Sequence, residues 1–225
     1  MSQSYTVIFQ NNSSNPGSAC MYQVDPTIGV PNVMSLAWFA KYAFPTTKLV
    51  FSWTLGYDFV WSQTGKLAPG ILLTASQCIP ADLTTTNQIS LDYQNGAFDF
   101  VKQTQGAQAG SLYIQETGNI PANMASAGIG MAGSATFAVQ AQPNIKLIFT
   151  PHPQYWITFG NYTQGEVLGN SNITTSAQIV FPLNIYSMSA ILNPDNTWTV
   201  QSTMAVNAAY LKARESNSSA RWGVL

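Results

Sequence analysis

The amino-acid sequence predicts an all-β protein made of two packed sheets, a β-sandwich of jelly-roll-like design. Apolar and polar residues alternate over long stretches, which is typical of half-buried strands. Clusters of Gly, Pro, Asn and Asp interrupt these stretches at short intervals, as turns do. Helical character is confined to residues 206–215. We therefore expect about a dozen antiparallel strands and one short C-terminal helix, in a single domain over residues 1–225.

The stretch from Met34 to Gly65 is the clearest strand pattern in the chain. Two long strands are predicted on either side of a short turn at 45–47. Trp53, Tyr57 and Trp61 belong to one alternating row, and residues two apart share a face of a strand. We interpret that row as core, with a bend or bulge at Gly56 because the second strand would otherwise be long.

The next clear signal is a hairpin over residues 89–101. Asn95-Gly96 is the preferred pair for a two-residue type I′ turn, and this turn sets Asp92 opposite Asp99. Like charges directly opposite each other destabilise an antiparallel pair. Solvent, a local salt bridge, a bound cation or a raised pKa would each compensate. Asp92 and Asp99 are therefore the candidate metal site.

A long connection is predicted over residues 119–133, and it contains a G-x-G-x-x-G pattern. Gly128, Gly130 and Gly133 match the spacing of a dinucleotide-binding loop, which works only between a strand and a helix. Here a strand is predicted to follow, at 134–142. We therefore expect a packed or flexible loop and no cofactor.

Composition narrows the classes of partner. The chain has 8 Lys and Arg against 9 Asp and Glu, and only 8% of its residues are charged. Nucleic acids and anionic membranes both select for basic clusters, so neither is an expected partner. A net charge near zero favours association instead. The expected partner is a second copy of the chain.

The sequence also bears on location and redox state. The first residues do not form a secretory signal, and no apolar run reaches the ~20 residues of a membrane span. We expect a cytoplasmic protein, with export by another route left open. Cys20 and Cys78 are too few for a disulfide framework, so two reduced and mostly buried thiols are expected, since a free cysteine behaves as a small apolar residue.

Catalytic signatures are weak. His152 is the only histidine, and it lies between Pro151 and Pro153 in a rigid turn. Neither G-x-S-x-G nor H-E-x-x-H occurs, so two hydrolase classes lack their signature. We expect an exposed loop histidine and a protein that is not an enzyme.

Aromatic residues beside neutral polar residues offer a second hypothesis, a lectin-like module. Tyrosine and tryptophan rings present flat apolar faces with a polar handle, which suits the face of a sugar ring. Tyr57, Asp58, Tyr155 and Trp156 are the candidate ligand-binding residues. In this hypothesis a cation at the aspartate pair would assist binding of a neutral glycan.

The last ten residues, 216–225, form a candidate interaction tail. Residues 216–220 are polar, and the segment that follows is rich in apolar residues. Aromatic anchors contribute strongly to protein interfaces. Trp222, Val224 and Leu225 are the candidate self-association residues.

Two segments carry a family resemblance: YTVIFQNNSSNPGSACMYQ near the start and SLAWFAKYAFPTTKLVFSWTLGYDFVWSQTGKLAPG after it. Both resemble the RhiA family, and the likeness is clear over about the first third of the chain. It implies a small bacterial protein whose expression is regulated by quorum sensing, and it supplies no catalytic residue. Our leading hypothesis is a non-enzymatic β-sandwich that self-assembles into an oligomer, filament or intracellular inclusion.

Overall fold

A computed structural model describes residues 3–25, 27–169, 173 and 175–222, with side chains described as far as Lys212. This part of the chain forms strands and a single C-terminal helix, which confirms the all-β prediction. The strands are β1 (Ser4–Asn11), β2 (Gly17–Val24), β3 (Met34–Ser35), β4 (Ala37–Ala43), β5 (Lys48–Thr54), β6 (Tyr57–Ser62), β7 (Gln77–Ala81), β8 (Gln88–Gln94), β9 (Ala97–Thr104), β10 (Leu112–Glu116), β11 (Ser126–Met131), β12 (Ser134–Gln140), β13 (Lys146–Phe149), β14 (Gln154–Gly160), β15 (Ser176–Ile179), β16 (Ser187–Leu192) and β17 (Trp198–Ser202), and the helix is α1 (Thr203–Trp222).

The strands form four sheets, which pair into two sandwiches. The first sandwich joins the sheet β17-β16-β1-β5 to the sheet β15-β14-β2-β4. The second joins β13-β10-β8-β9 to β3-β12-β11-β6-β7. Apart from β3, the second sandwich comes from one continuous segment, β6 to β13, which lies in the chain between the two halves of the first.

Each sandwich has its own apolar core. Side chains from both sheets of the first sandwich meet around Phe9, Met21 and Phe51, all essentially inaccessible to solvent. The core of the second sandwich contains Phe59 and Phe137 from one sheet and other large apolar residues from the opposite sheet. Burial of these apolar surfaces is the main favourable contribution to folding.

Trp38 and Tyr57 are among the residues that connect the two sandwiches. Trp38 lies in the first core, and its indole Nε1 donates a hydrogen bond to the backbone oxygen of Met131, at 2.9 Å. Tyr57 packs against both cores. The predicted row on one face therefore divides: Trp53 enters the first core and Trp61 the second, on either side of the break at Leu55 and Gly56.

The structure has more strands than the sequence predicts, and not all of them pair in antiparallel fashion. There are 17 strands in the described chain rather than about a dozen, and two pairs are parallel, β1 with β16 and β8 with β10. Parallel neighbours need a long crossover, so they cannot be recognised from adjacent turns. The hairpin prediction is confirmed: Asn95 and Gly96 both have positive φ, and Asp92 pairs with Asp99.

The predicted connection over residues 119–133 contains strand β11, so the loop interpretation is wrong there. The glycines are needed because β11 and β12 approach closely. A Cβ atom on Gly128 would lie 2.0 Å from the backbone oxygen of Phe137. Gly128 and Gly130 are therefore packing residues within a strand, and Gly133 lies in the turn that follows.

The C-terminal helix is longer than the predicted 206–215. It runs from Thr203 to Trp222, so most of the tail predicted at 216–225 is helical. Nucleation is the unfavourable step of helix formation, and extending an existing helix by one residue costs little free energy. The polar residues 216–220 can therefore continue the helix. The side chain of Trp222 is not described, and Val224 and Leu225 lie outside the described residues.

Candidate functional site

The predicted aspartate pair lies in a polar groove of about 500 Å³ on the outer face of the β8–β9 hairpin. Asp92 is buried, and its carboxylate accepts hydrogen bonds from the Thr117 hydroxyl at 2.5 Å, the Tyr93 amide at 2.9 Å and the Gln94 side chain at 2.6 Å. The Thr117 hydroxyl is the main reason that the pKa of Asp92 is lowered. Protein donors thus stabilise the ionised carboxylate.

Asp99 is exposed, and its carboxylate accepts a hydrogen bond from the Gln77 side chain at 3.0 Å. Lys102 lines the same groove, and its own backbone φ is 56°. In the part of the chain described, no three His, Cys, Asp or Glu side chains come together as metal ligands. A cation at Asp92 and Asp99 stays a prediction, with two carboxylates as its whole acidic ligand set.

A second groove, of about 510 Å³, brings together two of the predicted ligand-binding residues. Tyr57 and Tyr155 line it beside Tyr5 and Phe181. Burial raises the pKa of both Tyr57 and Tyr155 to about 12, so their hydroxyls stay protonated at neutral pH. We call this the aromatic groove.

The other two predicted ligand-binding residues point elsewhere, because neighbouring strand residues face opposite sides. Asp58 is buried and accepts a hydrogen bond from the Gly133 amide at 2.8 Å. Trp156 packs with Cys20 and Tyr22 in a small separate cluster. Neither residue lines the aromatic groove.

The histidine lies in an exposed loop, as predicted. His152 lines the rim of the aromatic groove, and its ring Nδ1 is 3.1 Å from the Thr150 backbone oxygen. Its backbone amide donates to the carboxylate of Asp25.

Of the two cysteines, Cys20 is buried as expected, whereas Cys78 is exposed, so the expectation of a buried thiol is wrong there. Partial desolvation by neighbouring residues, and after it the Asp58 carboxylate, raises the pKa of the Cys78 thiol to about 11. That thiol is mostly protonated at neutral pH.

Glu116 is a buried carboxyl that sequence reasoning missed. Its side chain is fully inaccessible to solvent, Oε2 accepts one hydrogen bond from the Gln142 amide at 2.9 Å, and Oε1 has no described partner. Burial raises its pKa to about 7. Strand parity could have found it, because Leu112, Ile114 and Glu116 share the core face of β10.

A third groove, of about 690 Å³, runs along β13. One wall is residues 145–148 and the other includes the loop 29–32 with parts of β3 and β12. Most of its side chains are apolar. We call it the β13 groove, and no sequence signal pointed to it.

The helix α1 presents apolar side chains to solvent. From Met204 to Lys212, every side chain except that of Val206 is exposed. Its first turn is held by a contact between the Thr203 and Ser187 hydroxyls at 2.9 Å and by the Ala205 amide, which donates to the Ser202 hydroxyl. No described helix is long and apolar enough to cross a membrane.

These features define a two-sandwich β-protein with surface grooves and an exposed C-terminal helix. A sequence model of the RhiA family matches residues 2–203, and the chain belongs to that family. It is 40% identical over 202 residues to Protein RhiA of Rhizobium leguminosarum bv. viciae, an alignment that covers 87% of this chain and 85% of that protein. No solved structure matches the chain significantly.

Proposed function

We propose that this RhiA-family protein is a non-enzymatic β-sandwich that associates with copies of itself, with α1 as a principal contact. The observation that carries the proposal is the exposure of apolar side chains on α1. Tyr210 is 62% exposed and Leu211 is 56% exposed. An isolated helix is marginal in water, and most helices in proteins are stabilised by packing an apolar face. A second copy would provide that packing.

The charge of the chain supports a contact between identical molecules. The net charge is -1, so two copies repel each other little. A second apolar patch is at the β4–β5 hairpin, where Tyr42 and Phe44 are 57% and 64% exposed and their rings contact each other. Apolar patches on a surface are typical of interaction sites.

The family match ends at residue 203, where α1 begins. The matched residues therefore contain both sandwiches, and nearly all of α1 lies beyond them. In our proposal the sandwiches form the body of each subunit, and α1 contributes the principal contact between subunits.

The test is the mass in solution of a variant that carries Tyr210→Gln and Leu211→Gln. Glutamine is a good helix former, so the helix is kept while its apolar contact surface is removed. We expect the assembly of this variant to be smaller, or to dissociate at a higher protein concentration than the wild-type assembly does. Light scattering behind size exclusion measures both.

The matched control carries Asn207→Gln and Lys212→Arg, two exposed positions on the same helix with their polarity kept. This control should assemble like the wild-type protein. An unchanged mass for the Tyr210 and Leu211 variant would rule out α1 as the principal contact.

Binding of a neutral glycan is a second candidate function, favoured by the aromatic groove. Tyr57 and Tyr155 are held together there with protonated hydroxyls, and the amide side chains of Gln154 and Gln178 line the same groove. Aromatic faces stack on sugar rings while hydroxyl and amide groups pair with sugar hydroxyls.

A panel of neutral pyranosides tests this candidate. A sugar that binds only the folded protein raises its melting temperature. The rise should vanish with Tyr57→Leu and persist with Tyr42→Leu, a tyrosine outside the groove. If calcium at the aspartate pair assists binding, the rise should grow on adding calcium and lose that growth with Asp99→Asn. A panel without any shift would remove the candidate.

A further inference from the structure

The two lateral edges of the second sandwich differ. On one side, hydrogen bonds join the edge strands β7 and β9: the Phe100 amide donates to the Gln77 side chain at 3.0 Å, and the Gln103 side chain donates to the Pro80 oxygen at 2.7 Å. On the other side the edge strands are β13 and β3, and among the described residues no hydrogen bond joins them. The β13 groove is the opening between the two sheets on that side.

The floor of the β13 groove is the apolar core of the second sandwich. Val30, Val139 and Leu147 line the groove, and all three belong to that core. Ile145 and Ile148 also line it, and each of their side chains is 42% exposed. Contact between apolar surface and water is unfavourable, so a molecule that covers these side chains gains free energy from their burial.

Hydrogen bonds fix both ends of the β13 wall of the groove. After the strand, the Thr150 amide donates to the Ile28 oxygen at 3.1 Å. Before it, the Gln142 amide donates to the buried Glu116 carboxyl at 2.9 Å, and the Glu116 amide donates to the Ile145 oxygen at 2.8 Å. The groove is therefore formed before any ligand binds. Its volume of about 690 Å³ lies within the range of about 300–1,000 Å³ found for small-molecule sites.

The polar groups of the groove match an uncharged ligand. Asn32, Gln140 and Gln142 line it, and amide groups both donate and accept hydrogen bonds. Among the described lining residues Lys146 alone is charged, and its ammonium lies over the Tyr113 ring, 4.8 Å from the centroid. Burying a charge without a partner is costly, so an uncharged molecule with a hydrogen-bonding group fits this lining better than an ion does.

We propose that the β13 groove binds a small, uncharged and mainly apolar molecule that carries a neutral hydrogen-bonding group. The apolar part of the ligand lies between Ile145 and Ile148 on one wall and Met34 and Leu67 on the other. The wall from 145 to 148 is about 10 Å long at 3.3 Å a residue, which accommodates a molecule of about two or three rings. The neutral polar group meets the amides of the groove.

This site is separate from the surfaces proposed above. The β4–β5 hairpin with Tyr42 and Phe44 belongs to the first sandwich, and α1 follows its strand β17, whereas the β13 groove lies at an edge of the second sandwich. The β13 groove also shares no lining residue with the aromatic groove. Ligand binding and self-association are therefore measured independently, and the failure of one leaves the other standing.

The experiment titrates the full chain with N-phenyl-1-naphthylamine, an uncharged three-ring dye with one N–H donor, whose fluorescence rises when it leaves water. It compares Ile148→Glu with Ile71→Glu. Both isoleucines are 42% exposed, and Ile71 lies outside the groove. The charge at position 148 should weaken dye binding about tenfold or more, whereas Ile71→Glu and Ile148→Leu should bind like the wild-type protein. Equal binding by the two glutamate variants, or no fluorescence rise with the wild-type protein, overturns the site.

NMR of the wild-type protein gives a readout that does not depend on a variant folding. The dye should shift the amide signals of residues 29–32 and 145–148, and shifts confined to other residues overturn the site. Tighter binding of the anionic dye 8-anilino-1-naphthalenesulfonate overturns the uncharged class of ligand. Loss of dye binding as the protein concentration rises would mean that a second copy covers the groove, and this result also overturns the proposal.

Discussion

The two sandwiches share an architecture and differ in the polar groups they bury. In the first, the buried polar side chains Asn11, Ser13, Gln23, Thr158 and Ser189 are neutral. One buried carboxyl, that of Asp25, lies directly after β2 and accepts hydrogen bonds from the Thr27 and His152 backbone amides. The second buries three carboxyl groups, on Asp58, Asp92 and Glu116. Burying a charge is costly unless it is paired or hydrogen-bonded. The stability of the second sandwich should therefore depend on pH more than that of the first, because the pKa values of Asp92 and Glu116 are both shifted.

Within the second sandwich, two buried carboxyl groups have pKa values shifted in opposite directions. Asp92 is surrounded by donors, and its pKa is lowered. Glu116 has one donor, and its pKa is raised to about 7. The two are linked through adjacent residues, since Thr117 donates to Asp92. Glu116 is desolvated in the core and has one donor, so its pKa rises, whereas Asp92 lines a groove and has several donors, so its pKa falls.

The largest effect is expected from Trp38→Ala in the first sandwich. The substitution removes a fully buried indole and its bond to Met131, which ties the two sandwiches together. Large-to-small changes of this kind cost about 3–5 kcal/mol. Urea unfolding should show this loss equally at pH 5 and pH 8. Phe44→Ala, at an exposed position, should cost little; a comparable loss there would contradict the packing account.

Glu116→Gln should change how stability depends on pH. The pKa of Glu116 is higher in the folded protein than in the unfolded chain, so the folded state binds the proton more tightly. Its contribution is fully present below about pH 4.5 and is lost as pH rises through about 7. The wild-type protein should lose up to about 3 kcal/mol of unfolding free energy over that range through this group.

The glutamine variant cannot titrate at that position, so this part of the pH dependence should disappear. Urea unfolding of both proteins between pH 4.5 and pH 8 measures it. Gln115→Glu on the same strand is the control. Residue 115 faces the opposite side of the strand from Glu116, so this variant should keep the pH dependence of the wild-type protein. Two parallel stability curves for wild type and Glu116→Gln would contradict the assignment.

A smaller effect is expected from Thr117→Val, which removes the main donor to Asp92. The folded pKa of Asp92 lies below its unfolded value, so its contribution is present above about pH 4 and is lost as pH falls through the folded pKa. The variant should lose about 1–2 kcal/mol at pH 7. NMR titration should show a higher pKa for Asp92, while Thr104→Val, at an exposed residue, leaves it unchanged.

Local signals in the sequence predicted local structure well. Asn95-Gly96 fixed both the turn and the pairing of Asp92 with Asp99, because a two-residue turn allows one register. The alternating row through Trp53 and Trp61 correctly predicted burial. It did not predict that these two residues enter different cores, since alternation gives a face and not the sheet that covers it.

Long-range features were beyond the sequence. Strand β11 was missed because its small residues, needed for close approach to β12, also occur in loops. Of the predicted ligand residues, Tyr57 and Tyr155 meet while Asp58 and Trp156 point away, which depends on how distant strands align.

The most direct test of the proposed function is the mass of the wild-type protein in solution. Light scattering behind size exclusion, over a range of concentrations and at several salt concentrations, measures it. We predict a discrete or very large assembly, at least twice as heavy as the 24.3 kDa chain, that persists in salt because its contacts are apolar. A protein of 24.3 kDa under all these conditions would contradict self-association.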